Sequence, residues 1–123
     1  MDIGKILVVD DEEVISAYLQ RKLIKLGYSV DLAGDGEMAL NLAISTMPDI
    51  ILMDVKLPKL TGTEVCKRLK SDERAKGIHI LLLSAKTQPK EIQEGFDAGA
   101  DDYLCKPISF PDILVRINNY RHV

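Results

Sequence analysis

Short apolar runs alternate with longer amphipathic stretches along the whole chain, and five such pairs can be counted. The first run, Lys5 to Val9, is rich in β-branched residues and too short for a helix, so it reads as a strand buried on both faces. From Glu12 to Leu26, the residues Ile15, Tyr18, Leu19, Leu23 and Leu26 recur at helical spacing. Acids open that stretch and bases close it, as a helix dipole favours, and Gly27 stops it. Tyr28 to Ala33 alternates as a weaker strand, and Gly34-Asp35-Gly36 turns the chain into a helix over Glu37 to Met47. Ile50 to Met53 repeats the character of the first run and likewise stops at an aspartate, Asp54. Thr61 and Glu64 have capping-box spacing at the head of a third helix, with Val65, Cys66 and Leu69 facing inward. His79 to Leu83 is a fourth strand. A helix over Pro89 to Ala98 with Ile92 and Phe96, a short strand over Asp101 to Cys105 and a helix over Ser109 to Tyr120 complete the chain.

Strands alternating with helices need right-handed crossovers, which produce a parallel sheet covered on both faces. The expected class is therefore α/β, doubly wound, and 123 residues suit one core. With 46% apolar and 28% charged residues the chain has the makings of a folded domain, not of a disordered one. No apolar run approaches the roughly 20 residues that cross a bilayer. The 16 Lys and Arg residues against 19 Asp and Glu leave a formal charge of −3, so no broad basic field is on offer to nucleic acid. Cys66 and Cys105 form no CxxC pair and read as reduced, buried thiols. No secretion signal precedes the first strand, which makes the cytoplasm the expected compartment.

In an open parallel sheet, ligands bind beyond the carboxyl ends of the strands. Four of the five strands end at residues capable of chemistry there: Asp10 and Asp11, Asp54, Ser84 and Lys106. Singly, each has a plainer role, since a strand-terminal Asp or Ser commonly caps the next helix and a lone lysine is ordinarily a surface cation. Jointly, three carboxylates in one cleft repel and raise at least one pKa, so the cluster needs a cation. A hard divalent ion such as Mg²⁺ suits such oxygen ligands, and Lys106 is a second cation. Beside both, a carboxylate can act as nucleophile toward a phosphoryl group, with Ser84 donating to one of its oxygens.

The segments ILVVDDE (6–12), DIILMDVKLP (49–58) with Gly62, LLLSA (81–85) and GADDYLCKP (99–107) resemble the signature blocks of the receiver domain of two-component response regulators. The resemblance implies a single receiver domain over 1–123 with the flavodoxin-like strand order 2-1-3-4-5. It matches Asp54 to the phosphoacceptor, charged from a sensor histidine kinase or a histidine phosphotransfer protein. It matches Asp10 and Asp11, with Asp54 and the backbone carbonyl of Lys56, to the ligands of Mg²⁺, for which Mn²⁺ can substitute. Ser84 takes the place of the switch hydroxyl, Lys106 of the family lysine, and Tyr103 of the switch aromatic. A cis bond before Pro107 is implied, as is a change of surface along the fourth helix, fifth strand and fifth helix. A downstream protein partner or an effector domain missing from this chain would read that change, and a phosphorylation-dependent dimer is a further option. Met1 close to the first strand favours a free-standing regulator or the N-terminal receiver of a longer protein.

Such a domain is a signalling module, catalysing only its own phosphorylation and slow dephosphorylation. Two alternatives share its architecture. An Mg²⁺-dependent aspartyl phosphohydrolase would want a second acid two residues after Asp54, where Lys56 stands. A flavodoxin-like electron carrier would want a phosphate-cradling loop after the first strand, where Asp10-Asp11-Glu12-Glu13 repels phosphate. Lys56 and Lys86 flank the expected site and bear on the lifetime of a phosphoryl group, while Lys59 stands where many relatives carry glycine. His79 and His122 show no metal-like spacing, and Tyr18 and Tyr28 read as packing residues.

Overall fold

A computed structural model describes residues 4–120. Its strands are β1 (Lys5–Val9), β2 (Ser29–Ala33), β3 (Ile50–Asp54), β4 (His79–Ser84) and β5 (Asp102–Cys105). Between and after them run α1 (Glu13–Lys25), α2 (Gly36–Thr46), α3 (Gly62–Lys70), α4 (Pro89–Asp97) and α5 (Phe110–Tyr120). All pairings are parallel, and the strand order is β2-β1-β3-β4-β5, as expected.

The period-two alternation of the strands divides the core into two layers. Leu7, Val9, Ile51, Met53, Ile80 and Leu82 face one way, onto Ala39 and Ala43 of α2 and Val65 and Leu69 of α3. Ile6, Val8, Ile50, Leu52, Leu81 and Leu83 face the other way, onto Leu19 and Leu23 of α1 and Ile113 and Ile117 of α5. Because β1, β3 and β4 are covered on both sides, they read as unbroken apolar runs. Each such side chain contributes about 1.5–3 kcal/mol by its removal from water. Helix starts follow local chemistry: Asp35 caps α2 through the Met38 amide, and Thr61 and Glu64 form the reciprocal capping box of α3.

Several side chains depart from expectation. Cys66 is buried, its thiol donating to the Ala98 carbonyl, but Cys105 is exposed. The second half of the cysteine expectation is therefore corrected: β5 is an edge strand and Cys105 is its last residue, beyond the cover of a helix. Phe96 is exposed because α4 meets the sheet through Gly95, whose Cβ position lies 2.8 Å from the Tyr103 ring. Leu26 and Met47 also face solvent, each at a helix C-cap. Tyr28 is buried, whereas Tyr18 is half exposed and meets Phe110 edge to face at 6.4 Å. His79 packs its ring 5.0 Å from that of Tyr120, and His122 lies outside the described residues.

Candidate functional site

Register brings the strand ends together. β1 and β3 are neighbours with Val9 opposite Met53, so Asp10 and Asp54 emerge side by side. On the other flank Asp54 pairs with Leu83, and Ser84 with Cys105, which puts Ser84 and Lys106 next to the same point. Asp10, Asp54 and Ser84 are buried and Asp11 is exposed.

Carboxylate oxygens of Asp10, Asp11 and Asp54 all lie within 4.8 Å of one another. Lys106 Nζ stands 3.1 Å from Asp54 Oδ2 and 3.9 Å from Asp10 Oδ2. Its own amide donates to the Ser84 carbonyl at 2.7 Å, and the peptide bond to Pro107 is cis. The Lys56 amide donates to Asp54 Oδ1 at 3.2 Å, and the Glu12 amide to Asp10 Oδ1 at 2.9 Å. Burial raises the Asp10 carboxyl above its ordinary 3.8, opposed by the Glu12 amide and Lys106 and reinforced by the negative charge of Asp54. The cluster holds more negative charge than its lysine can offset.

A hard divalent cation fits that donor set, which is three carboxylates converging from two strand ends with one open to solvent. The backbone behind Asp54 is tight as well. Gly62 donates to the Val55 carbonyl at 2.8 Å, and a Cβ on it would fall 2.3 Å from the Asp54 carbonyl oxygen. Only glycine permits that approach.

Ser84 Oγ accepts the Lys86 amide at 2.9 Å, and the buried Tyr103 ring sends its hydroxyl to the Lys86 carbonyl at 2.9 Å. Lys86 thus links two expected switch residues through its backbone. Its position two residues past Ser84 was visible in the sequence; this bridging role was not, because it depends on a strand 17 residues away. Between α1 and the turn after β5 runs an apolar groove of about 660 Å³. Asp10 and Lys106 border it at the site, and Ile15, Tyr18, Leu83 and Phe110 line its walls.

A parallel sheet with an acid cluster and a lysine at one topological edge defines a class of phosphoryl-handling α/β domain, and comparison gives the family. Residues 6–118 match the response regulator receiver domain, and the chain belongs to that family. It is 42% identical over 113 residues to the DNA-binding dual master transcriptional regulator RpaA of Synechocystis, covering 92% of this chain and 47% of that protein. It is 45% identical over 113 residues to the response regulator MprA of Mycolicibacterium vanbaalenii, covering 92% and 48%. The chain therefore spans about half the length of these relatives. Chemotaxis response regulator CheY4 of Vibrio cholerae superposes with a TM-score of 0.89 at 34% identity, over 95% of this chain and 98% of that one. The BeF3-activated DrrB receiver domain superposes with a TM-score of 0.85 at 32% identity, over 98% and 97%. The chain is thus a phosphoacceptor receiver domain, a signalling domain. Among the described residues no helix is long and apolar enough to cross a membrane.

Proposed function

We propose that Asp54 is the phosphoacceptor and that residues 1–123 form a single receiver domain. The observation that carries this is the convergence of Asp10, Asp11 and Asp54 within 4.8 Å, with Lys106 3.1 Å from Asp54. A carboxylate oxygen of Asp54 attacks phosphorus, the bond from phosphorus to the donor's histidine nitrogen breaks, and the imidazole leaves with the electron pair. Lys106 pairs with the transferred oxygens. Asp10 and Asp11, with Asp54 and the Lys56 carbonyl, would hold Mg²⁺, or Mn²⁺ in its place. When bound, the ion supplies the positive charge that lets an anionic donor approach three carboxylates.

The donor is a sensor histidine kinase or a histidine phosphotransfer protein. It docks over the apolar groove, which runs continuously into the site and is bordered by Asp10 and Lys106. An acyl phosphate at Asp54 adds about −1.5 to −2 charges and three acceptors. Ser84 turns to donate to one of them, Tyr103 adjusts behind it, and the surface of α4, β5 and α5 changes shape. The coupling is on the order of 1–3 kcal/mol and biases an existing equilibrium. A protein partner or an effector segment reads the change. The matched relatives are about twice as long, and one is named as DNA-binding, which supports an effector segment. The domain turns over no separate substrate, and a phosphohistidine donor made from ATP puts it in the cytoplasm.

The test is incubation with a small phosphodonor and Mg²⁺, followed by peptide mass spectrometry. One phosphoryl group on Asp54, absent from Asp54→Asn and after chelation, is the expected result. Label on another residue, or none, overturns the assignment.

A further inference from the structure

The buried face of α1 begins on a residue that packing alone does not call for. Ser16, Leu19 and Leu23 make that face, and the first of them is polar and only 4% exposed. Serine is a weaker helix former than alanine, and a buried hydroxyl needs a partner. Volume does not account for the choice, because a cavity of about 330 Å³ lies beside Ser16, lined also by Asp10, Glu13, Leu32 and Gly34. A larger apolar side chain has room there.

The hydroxyl reaches out of its own helix. The Glu12 carbonyl, one turn back, accepts the Ser16 amide, while Ser16 Oγ donates to the main-chain carbonyl of Asp10 at 3.3 Å. β1 ends at Val9, so this carbonyl lies beyond the paired strand. Two further bonds hold the same residue: the Asp10 amide donates to the Ala33 carbonyl at 3.1 Å, and Asp10 Oδ1 accepts the Glu12 amide at 2.9 Å. Oδ2 is left for the cluster, with Lys106 Nζ 3.9 Å away. The carbonyl that Ser16 holds belongs to the peptide joining Asp10 to Asp11. One hydrogen bond from α1 therefore orients both acids.

Resting on the reading of the acid cluster as a Mg²⁺ site, we propose that Ser16 is a positioning residue that tunes this cluster to Mg²⁺ over larger divalent ions. Mg²⁺ demands nearly ideal octahedral geometry, whereas Ca²⁺ takes six to eight oxygens in flexible arrangements. Without the hydroxyl, the peptide between Asp10 and Asp11 is free to turn, and the two carboxylates lose their fixed relation. That loss weakens Mg²⁺ binding much more than Ca²⁺ binding.

Calorimetric titration of Mg²⁺ and of Ca²⁺ into the unphosphorylated chain tests this, with the urea midpoint of each variant measured alongside. Ser16→Ala weakens Mg²⁺ binding about tenfold, the lower end of what losing a contact behind a metal ligand costs, and Ca²⁺ binding by less than about threefold. Ser16→Thr keeps the hydroxyl, the cavity has room for its added methyl, and Mg²⁺ affinity returns. Equal losses for the two ions, or no loss, in Ser16→Ala overturn the role of Ser16 alone. So does a Ser16→Thr chain with the wild-type urea midpoint and the affinities of the alanine variant. A wild-type chain that binds no Mg²⁺ and takes no label at Asp54 overturns the functional assignment, and this inference with it.

Discussion

Each end of the sheet carries a lysine–aspartate pair of nearly equal length, in opposite states of satisfaction. At the end where the strands begin, Lys70 Nζ lies 3.0 Å from Asp101 Oδ2 and also donates to the carbonyls of Ile78 at 2.7 Å and Lys76 at 3.3 Å. Asp101 Oδ2 accepts the Ile80 amide at 2.8 Å, and His79 Nδ1 stands 3.6 Å from Oδ1. All three ammonium donors of Lys70 have acceptors. Where the strands end, Lys106 stands 3.1 Å from Asp54, but Asp10 and Asp11 crowd the same point. The first pair is closed; the second is short of positive charge. A lysine–aspartate contact alone therefore says nothing of function, whereas an excess of charge that the fold leaves unanswered does.

The backbone of the open end is tightly packed behind Asp54 even though its charges are unsettled, and the largest expected effect tests this. Gly62→Ala drives a methyl group into the Asp54 carbonyl, 2.3 Å away, and costs about 2–3 kcal/mol by forcing the loop aside. Gly77, where an added Cβ meets nothing within 4 Å, is the control. Urea unfolding measures both. Equal stability of the two variants would show that the loop yields and that the site is not held from behind.

This contrast explains what could be read in advance. β1, β3 and β4 were evident because burial on both faces makes them continuous apolar runs, and the residues that follow them were evident because register carries strand ends to one edge. The Thr61 and Glu64 capping box is local, and so it too was visible. Lys70 was not. In the run Lys67-Arg68-Leu69-Lys70 it reads as one more wet cation, yet its partners lie 6, 8 and 31 residues away. The outward turn of Phe96 and the exposure of Cys105 depend in the same way on long-range packing, the first on Tyr103 against Gly95 and the second on β5 being an edge.

At the closed end, Asp101→Asn can keep one oxygen as acceptor for both Lys70 and the Ile80 amide, but it removes the negative charge and puts an NH2 group in place of the Oδ1 that faces His79 Nδ1. Loss of the charged partner costs about 1–2 kcal/mol, moderated because both side chains are partly exposed. At the open end, Asp10→Asn has the opposite sign and stabilises by about 1 kcal/mol at neutral pH. Because the Asp10 carboxyl is raised above 3.8, the native state holds that proton more tightly than the unfolded chain. Its favourable contribution is complete below the ordinary aspartate value and is lost as pH rises through the raised native value. Asn has no such proton, so the advantage of the variant grows across that window and then levels off. Magnesium reverses the order: at ten times its dissociation constant it adds about 1.4 kcal/mol to the wild type and little to the variant. Thermal unfolding against pH, with and without the ion, reads all three signs, and stabilisation by Asp101→Asn or destabilisation by Asp10→Asn would erase the distinction between the two ends.

The smallest effect lies within the open end itself. Lys59, in the loop between β3 and α3, adopts a φ of 70°, a left-handed conformation that costs a side chain about 1–2 kcal/mol. Lys59→Gly removes that strain but gives the unfolded chain more freedom, worth about 0.4–1 kcal/mol against folding. It also gives up an exposed contact with Asp35 at 3.8 Å, which contributes close to nothing. The net expectation is a gain of about 0.5 kcal/mol, read as a small rise in the urea midpoint at constant slope. A loss of stability instead would mean that the Lys59–Asp35 contact holds this loop against α2, so that the open end has one closed ion pair of its own.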